Sequence, residues 1–151
     1  DFPPGSKEED FGKVMKVNVE GVKNCCEIFG QAMDEGSIIN IASIYGMVSP
    51  DQRIYTNFIK PASYGASKAA VINLTKYYAT LYTNIRINCV SLGGVYNGQN
   101  EEFVRNYCQK VPLGRMARKD EYNELIRFLL SDGASYITGS NIVADGGYTS
   151  W

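Results

Sequence analysis

The sequence predicts an α/β fold built on a parallel sheet, and three observations carry that expectation. Ser37-Ile38-Ile39-Asn40-Ile41-Ala42 and Ile85-Arg86-Ile87-Asn88-Cys89-Val90-Ser91 are short, β-branched apolar runs of the kind buried in such sheets. Between them, residues 64–82 carry Ala66, Ala69, Ala70, Val71, Leu74 and Leu81 at helical spacing. Strand, helix and strand in that order make a parallel crossover.

Taken in order, the chain opens on Ser6-Lys7-Glu8-Glu9, which has the form of a capping box. A helix over 7–33 is predicted to follow, with Phe11, Val14, Met15, Val22, Cys25 or Cys26, and Phe29 on its buried face. Asn18 falls within that stripe, where a buried amide either ties local backbone or holds something in a site. Ser43 follows the first strand, at the carboxyl end where ligands bind in open α/β sheets; the same position also suits a turn or cap. Residues 44–62 read as a long polar and aromatic connection that includes Tyr45, Asp51, Arg53, Tyr55, Asn57 and Lys60 and is punctuated by Pro50 and Pro61. Arg53 and Lys60 are equally candidates for an anionic or polyol ligand and for ordinary surface charge.

Ser63 reads as the N-cap of the central helix. The flexible Leu92-Gly93-Gly94-Val95 ends the second strand, and the polar loop Asn97-Gly98-Gln99-Asn100 leads into a short helix near 101–109. Pro112-Leu113-Gly114-Arg115 reads as a mobile flap, 119–130 as a helix, and Ile142-Val143-Ala144 as a last strand before Asp145-Gly146-Gly147.

Composition narrows the function. The 151 residues are 44% hydrophobic and 21% charged, which suits one globular domain, and a net charge of -1 without a basic cluster argues against a nucleic-acid surface. No apolar run approaches the roughly 20 residues of a membrane span, so a cytoplasmic protein with a small-molecule partner is expected. Cys25, Cys26, Cys89 and Cys108 show no metal-type spacing and there is no histidine, so no metal site is predicted and reduced core cysteines are the expectation. The start at Asp1-Phe2-Pro3-Pro4 without a methionine suggests preceding residues.

The chemistry concentrates in Tyr64-Gly65-Ala66-Ser67-Lys68. A phenol and an ammonium four residues apart share a helical face, and the cation favours the phenolate form, so the pair can move a proton.

Asn18-Val19-x-Gly21, Ile38 through Ser43, Tyr64-x-x-x-Lys68, Ile85 through Asn88, and Thr138-Gly139 through Asp145-Gly146-Gly147 together resemble the short-chain dehydrogenase/reductase family, in family order over nearly the whole chain. The resemblance implies a Rossmann-like doubly wound parallel sheet, of which residues 1–151 are the C-terminal portion of a single NAD(P)-binding domain. The family's glycine-rich phosphate turn is not within these residues. It implies Tyr64 as catalytic acid/base and Lys68 as the cation that promotes its ionisation and binds the nicotinamide ribose. Ser43 would bond the substrate oxygen, and Asn18 would hold a water linking Lys68 to solvent. Gly93, the backbone of Val95, and Asn97 would meet the nicotinamide, with NAD or NADP as cofactor. Leu92 stands where the family usually has proline, Asn97 where threonine is frequent, and the Ser43-to-Tyr64 interval looks like an insertion.

The implied activity is interconversion of a secondary alcohol and a ketone. The polar loop at 97–100 and the Arg53–Lys60 stretch suggest a sugar or polyol. Homodimers or homotetramers paired through the two long helices are also implied. The alternative is a truncated half-domain that acts only in assembly.

Overall fold

The computed structural model describes residues 8–56 and 58–151; Ser6 and Lys7 of the capping box, and Asn57, lie outside them. Three parallel strands, β1 (Gly36–Ile41), β2 (Ile85–Leu92) and β3 (Asn141–Ala144), form a sheet in that spatial order. Gly36 pairs with Ile85 and Ile41 with Val90; Cys89 pairs with Asn141. The central strand is buried along nearly its whole length because both faces are covered. Its alternation divides the core: Ile87 joins Cys26 and Tyr78 on one face, while Val90 joins Leu129 and Ala134 on the other.

The first face is covered by α2 (Gly21–Ala32) and α3 (Ala62–Leu81), and α1 (Glu8–Met15) packs against α3. The expected single helix is interrupted by a π-helical turn at Lys16–Glu20, with Asn18 at its middle. Its proposed apolar face is also corrected. Cys26 is fully buried, whereas Cys25, Phe11 and Phe29 are exposed, so the inward stripe follows Val22, Cys26 and Gly30. The π-turn explains part of this, since one wider turn rotates the helix face out of a 3.6-residue register. Gly30 leaves room for the Tyr82 ring, which a Cβ there would overlap.

The second face is covered by α5, which begins at Asn123 and ends at Leu130. Buried polar groups are paired within the core. Asn40 donates to Thr75 Oγ1 at 3.0 Å, and Asn88 donates to the Ile137 carbonyl at 2.8 Å while accepting from Ser140 N–H at 3.0 Å. Asn88 thereby fixes the turn that returns the chain into β3.

The remaining elements gather beyond the carboxyl ends of the strands. Helix α4 (Glu101–Cys108) is capped by Asn100, whose Oδ1 accepts from the Glu102 and Phe103 amides. The expected flap at 112–115 is anchored instead. Leu113 N–H reaches the Gly146 carbonyl at 3.2 Å, and the Arg115 guanidinium grips both Glu121 carboxylate oxygens at 2.6 and 2.7 Å. Among the described residues, no helix is long and apolar enough to cross a membrane.

Candidate active site

The site is assembled where β1 hands over to a short turn. Ser43 is extended and buried, and its Oγ accepts from Tyr45 N–H at 3.2 Å, starting a single 3-10 turn over Ile44–Gly46. That turn lies against α3 with no room for side chains between them. A Cβ on Gly46 would stand 2.7 Å from the Lys68 carbonyl carbon, and one on Gly65 2.9 Å from the Tyr45 carbonyl oxygen. Two glycines thus hold the Ser43 turn against the helix that carries Tyr64 and Lys68.

Helix α3 begins one residue earlier than the expected serine cap. Pro61, with φ -67° and ψ 145°, is the boundary residue, and its pre-set φ replaces side-chain capping. Ser63 lies inside the helix, buried, with no partner for its Oγ among the described residues.

Tyr64 and Lys68 both line a crevice of about 300 Å³, together with Ser43, Gly93, Gly94 and Val95. Its opposite wall includes Tyr45, Tyr55, Gln99, Phe103 and Tyr107. The Lys68 ammonium lies 5.9 Å from the Tyr64 ring centroid and donates to the Ile41 carbonyl at 2.8 Å. Burial lowers the Lys68 pKa. Asn18 does not bond Lys68 directly: its Nδ2 donates to Ser67 Oγ at 3.1 Å, and that hydroxyl donates to the Tyr64 carbonyl at 2.8 Å. The π-turn therefore ties the first long helix to the backbone of the second, one residue from Lys68.

The glycine loop after β2 supplies backbone groups. Val95 forms an isolated bridge with Ala117, made by the Tyr96 and Ala117 amides, which leaves the Val95 N–H outside it. Gln99 spans the loop, donating to the Val95 carbonyl at 2.8 Å and accepting from Asn97 N–H at 2.7 Å. Asn97 itself is exposed and does not line the crevice; Gln99 takes that place, because its longer side chain folds back beneath the loop. Gly94 N–H donates to the Tyr107 hydroxyl.

Sequence reasoning missed this tyrosine-rich wall. Tyr45 meets the Tyr64 ring edge-on at 6.5 Å and Tyr148 at 6.3 Å, and accepts from the Tyr55 hydroxyl at 3.1 Å. Burial raises the pKa of Tyr45, Tyr55 and Tyr107, so these three remain neutral phenols. Tyr64 differs from them in having two ammonium groups near its ring, Lys60 at 4.0 Å and Lys68 at 5.9 Å. The only sequence signal for the wall was the high tyrosine count, which does not say which rings converge.

Residues 5–149 match the family model described as enoyl-(acyl carrier protein) reductase. The 3-oxoacyl-[acyl-carrier-protein] reductase FabG of Thermotoga maritima is 36% identical over 151 residues, covering 93% of this chain and 58% of that protein. A short-chain dehydrogenase from Leptospira borgpetersenii with bound NAD+ superposes with a TM-score of 0.86 at 37% identity, over 99% of this chain and 61% of that one. A gluconate 5-dehydrogenase from Burkholderia cenocepacia, in complex with NADP and tartrate, gives 0.85 at 27% identity, over 97% and 58%. The chain spans about half the length of the curated relatives it matches. With the sequence landmarks on matching elements of this sheet, the chain belongs to the short-chain dehydrogenase/reductase family.

Proposed function

We propose that this chain carries the catalytic half of an NAD(P)-dependent oxidoreductase that interconverts a secondary alcohol and a ketone. The observation that carries the reading is the juxtaposition of Ser43, Tyr64 and Lys68 in one crevice beside the Val95 loop. The donor set fits the nicotinamide–ribose end of a dinucleotide: an ammonium for ribose hydroxyls, an amide outside the Val95 bridge for a carboxamide, and a glycine pair that permits close approach. NAD or NADP, when bound, exchanges hydride with the substrate carbon. Tyr64 handles the accompanying proton, accepting it from the hydroxyl in oxidation and returning it in reduction. The Ser43 hydroxyl orients the same oxygen. Lys68 holds positive charge near the phenol as negative charge develops there. Asn18 acts through Ser67 as a positioning residue for this turn of α3. A sugar or polyol substrate rests on the hydroxyls of Ser43, Tyr45, Tyr55 and Tyr64 among the lining residues, which can meet hydroxyls of the ligand.

Tyr64→Phe removes the proton carrier and nothing else of consequence. Turnover is expected to fall about 10²- to 10⁴-fold while nucleotide binding is retained. Unchanged turnover would remove Tyr64 from the reaction.

We further infer assembly with a second copy through the long helices. Val17 and Ile28 are 71% and 64% exposed, and Tyr77 and Leu81 of α3 are 56% and 53% exposed, which is unusual for an apolar set of this size. Sedimentation velocity should show a dimer or tetramer that Ile28→Glu dissociates; a wild-type monomer at micromolar concentration would overturn this reading.

A further inference from the structure

Two cations stood as equal candidates in the segment between Ser43 and α3, and the structure separates them. Arg53 points to solvent, with its side chain 87% exposed, and is held by both oxygens of Asp51 at 2.9 and 2.8 Å. Asp51 also pairs with Lys110. Lys60 instead turns inward. Its ammonium stands 4.0 Å from the Tyr64 ring centroid, and its side chain lines the same crevice as Ser43 and Lys68. The ion pairs among the described residues all use other cations.

The backbone of Lys60 is fixed on both sides. Its N–H donates to Gln52 Oε1 at 2.9 Å, and its carbonyl accepts from Gln52 Nε2 at 3.0 Å. Pro61 follows and starts the helix that carries Tyr64, so Lys60 and the reacting phenol are one short, stiff step apart. Burial lowers the Lys60 pKa, the mark of an ammonium that has given up water. The Tyr64 ring face compensates in part through its quadrupole, but a ring offers no directed acceptor for the ammonium hydrogens.

We propose that Lys60 is a specificity-determining residue that binds the carboxylate of a short polyhydroxy acid whose reacting hydroxyl lies a few bonds away, against Tyr64 and Ser43. The inference rests on the reading of Tyr64 as the proton carrier. One carboxylate balances one inward ammonium and supplies the acceptor the ring lacks. A phosphate carries about -1.5 to -2 charges and calls for a cluster of cations, whereas Lys68 already donates to the Ile41 carbonyl. Neutral polyols would enter the same crevice and leave the Lys60 ammonium without its anion.

The test uses D-glycerate, D-threonate and D-gluconate against glycerol, threitol and glucitol, titrated calorimetrically into the intact protein in the presence of NAD+ or NADP+. At least one acid should bind more tightly than its polyol counterpart, to wild type and to Tyr64→Phe alike. Lys60→Met should weaken that acid roughly 10- to 100-fold and leave the polyol unchanged, with Lys60→Arg restoring most of the loss. No preference for any acid, or a preference that survives Lys60→Met, would overturn the proposal. Full turnover by Tyr64→Phe would overturn the proton-carrier reading instead, while the binding data still decide Lys60.

Discussion

The layer beneath the sheet ends and the layer above them solve opposite problems. Around β2, Ile87, Val90, Leu129 and Val71 are almost wholly buried, and the polar groups among them, Asn40, Thr75 and Asn88, bond to partners within the core. Above the strand ends, Ile44, Tyr45, Ile54, Tyr107, Val111, Met116 and Tyr148 pack around a crevice rimmed by Lys60 and Lys68. Buried hydroxyls remain without partners among the described residues there, on Ser63 and Tyr148. A layer that pairs its polar groups gains stability, whereas each buried hydroxyl left unpaired costs about 1–3 kcal/mol, although neither Ser63 nor Tyr148 lines the crevice. The two layers also differ in material. The upper layer holds three buried phenols, Tyr45, Tyr107 and Tyr148, among its aliphatic residues, and these bring bulk and a hydrogen-bonding tip to the same place.

That contrast can be broken most sharply from below. Leu129→Ala opens a cavity in a site with no exposure and should cost about 2–5 kcal/mol in urea unfolding, with ligand binding by the folded fraction unchanged. A loss well under 1 kcal/mol would mean that the lower layer repacks freely and that the distinction is overdrawn. From above, Tyr55→Phe deletes the donor to the buried Tyr45 hydroxyl while keeping the ring against Phe103 at 5.3 Å. A smaller stability loss of about 0.5–1.5 kcal/mol is expected, together with weaker binding of polyols in the calorimetric series. An effect on stability alone would assign Tyr55 to packing and take it out of the site.

Much of the arrangement was legible because it depends on local rules. Period-two and period-3.6 patterns placed the strands and the central helix within a residue or two, and Tyr64 with Lys68 follows from one turn of helix. The errors fall where a local rule met a tertiary one. Ser63 had the residue type of a cap, but Pro61 already set the backbone, and the serine was drawn inside. Phe29 had the spacing of a core residue, but the inward position of that turn is held by Gly30, which lies against the Tyr82 ring. Asn97 sat at the right distance from Gly93, yet Gln99 folded back and took the crevice.

The succession of strands and helices and the one-turn spacing of Tyr64 and Lys68 were determined by the sequence alone, since each is a matter of residue type and near-neighbour spacing. Only the tertiary structure decided between Arg53 and Lys60. Both are cations in one polar segment, and no spacing rule separates them. The choice depends on Asp51 reaching Arg53 and Lys110, and on Gln52 clamping the backbone of Lys60 so that its ammonium faces Tyr64. Contacts of that kind join chain positions that no periodicity relates, which is why their consequence for the substrate appears only when the chain is folded.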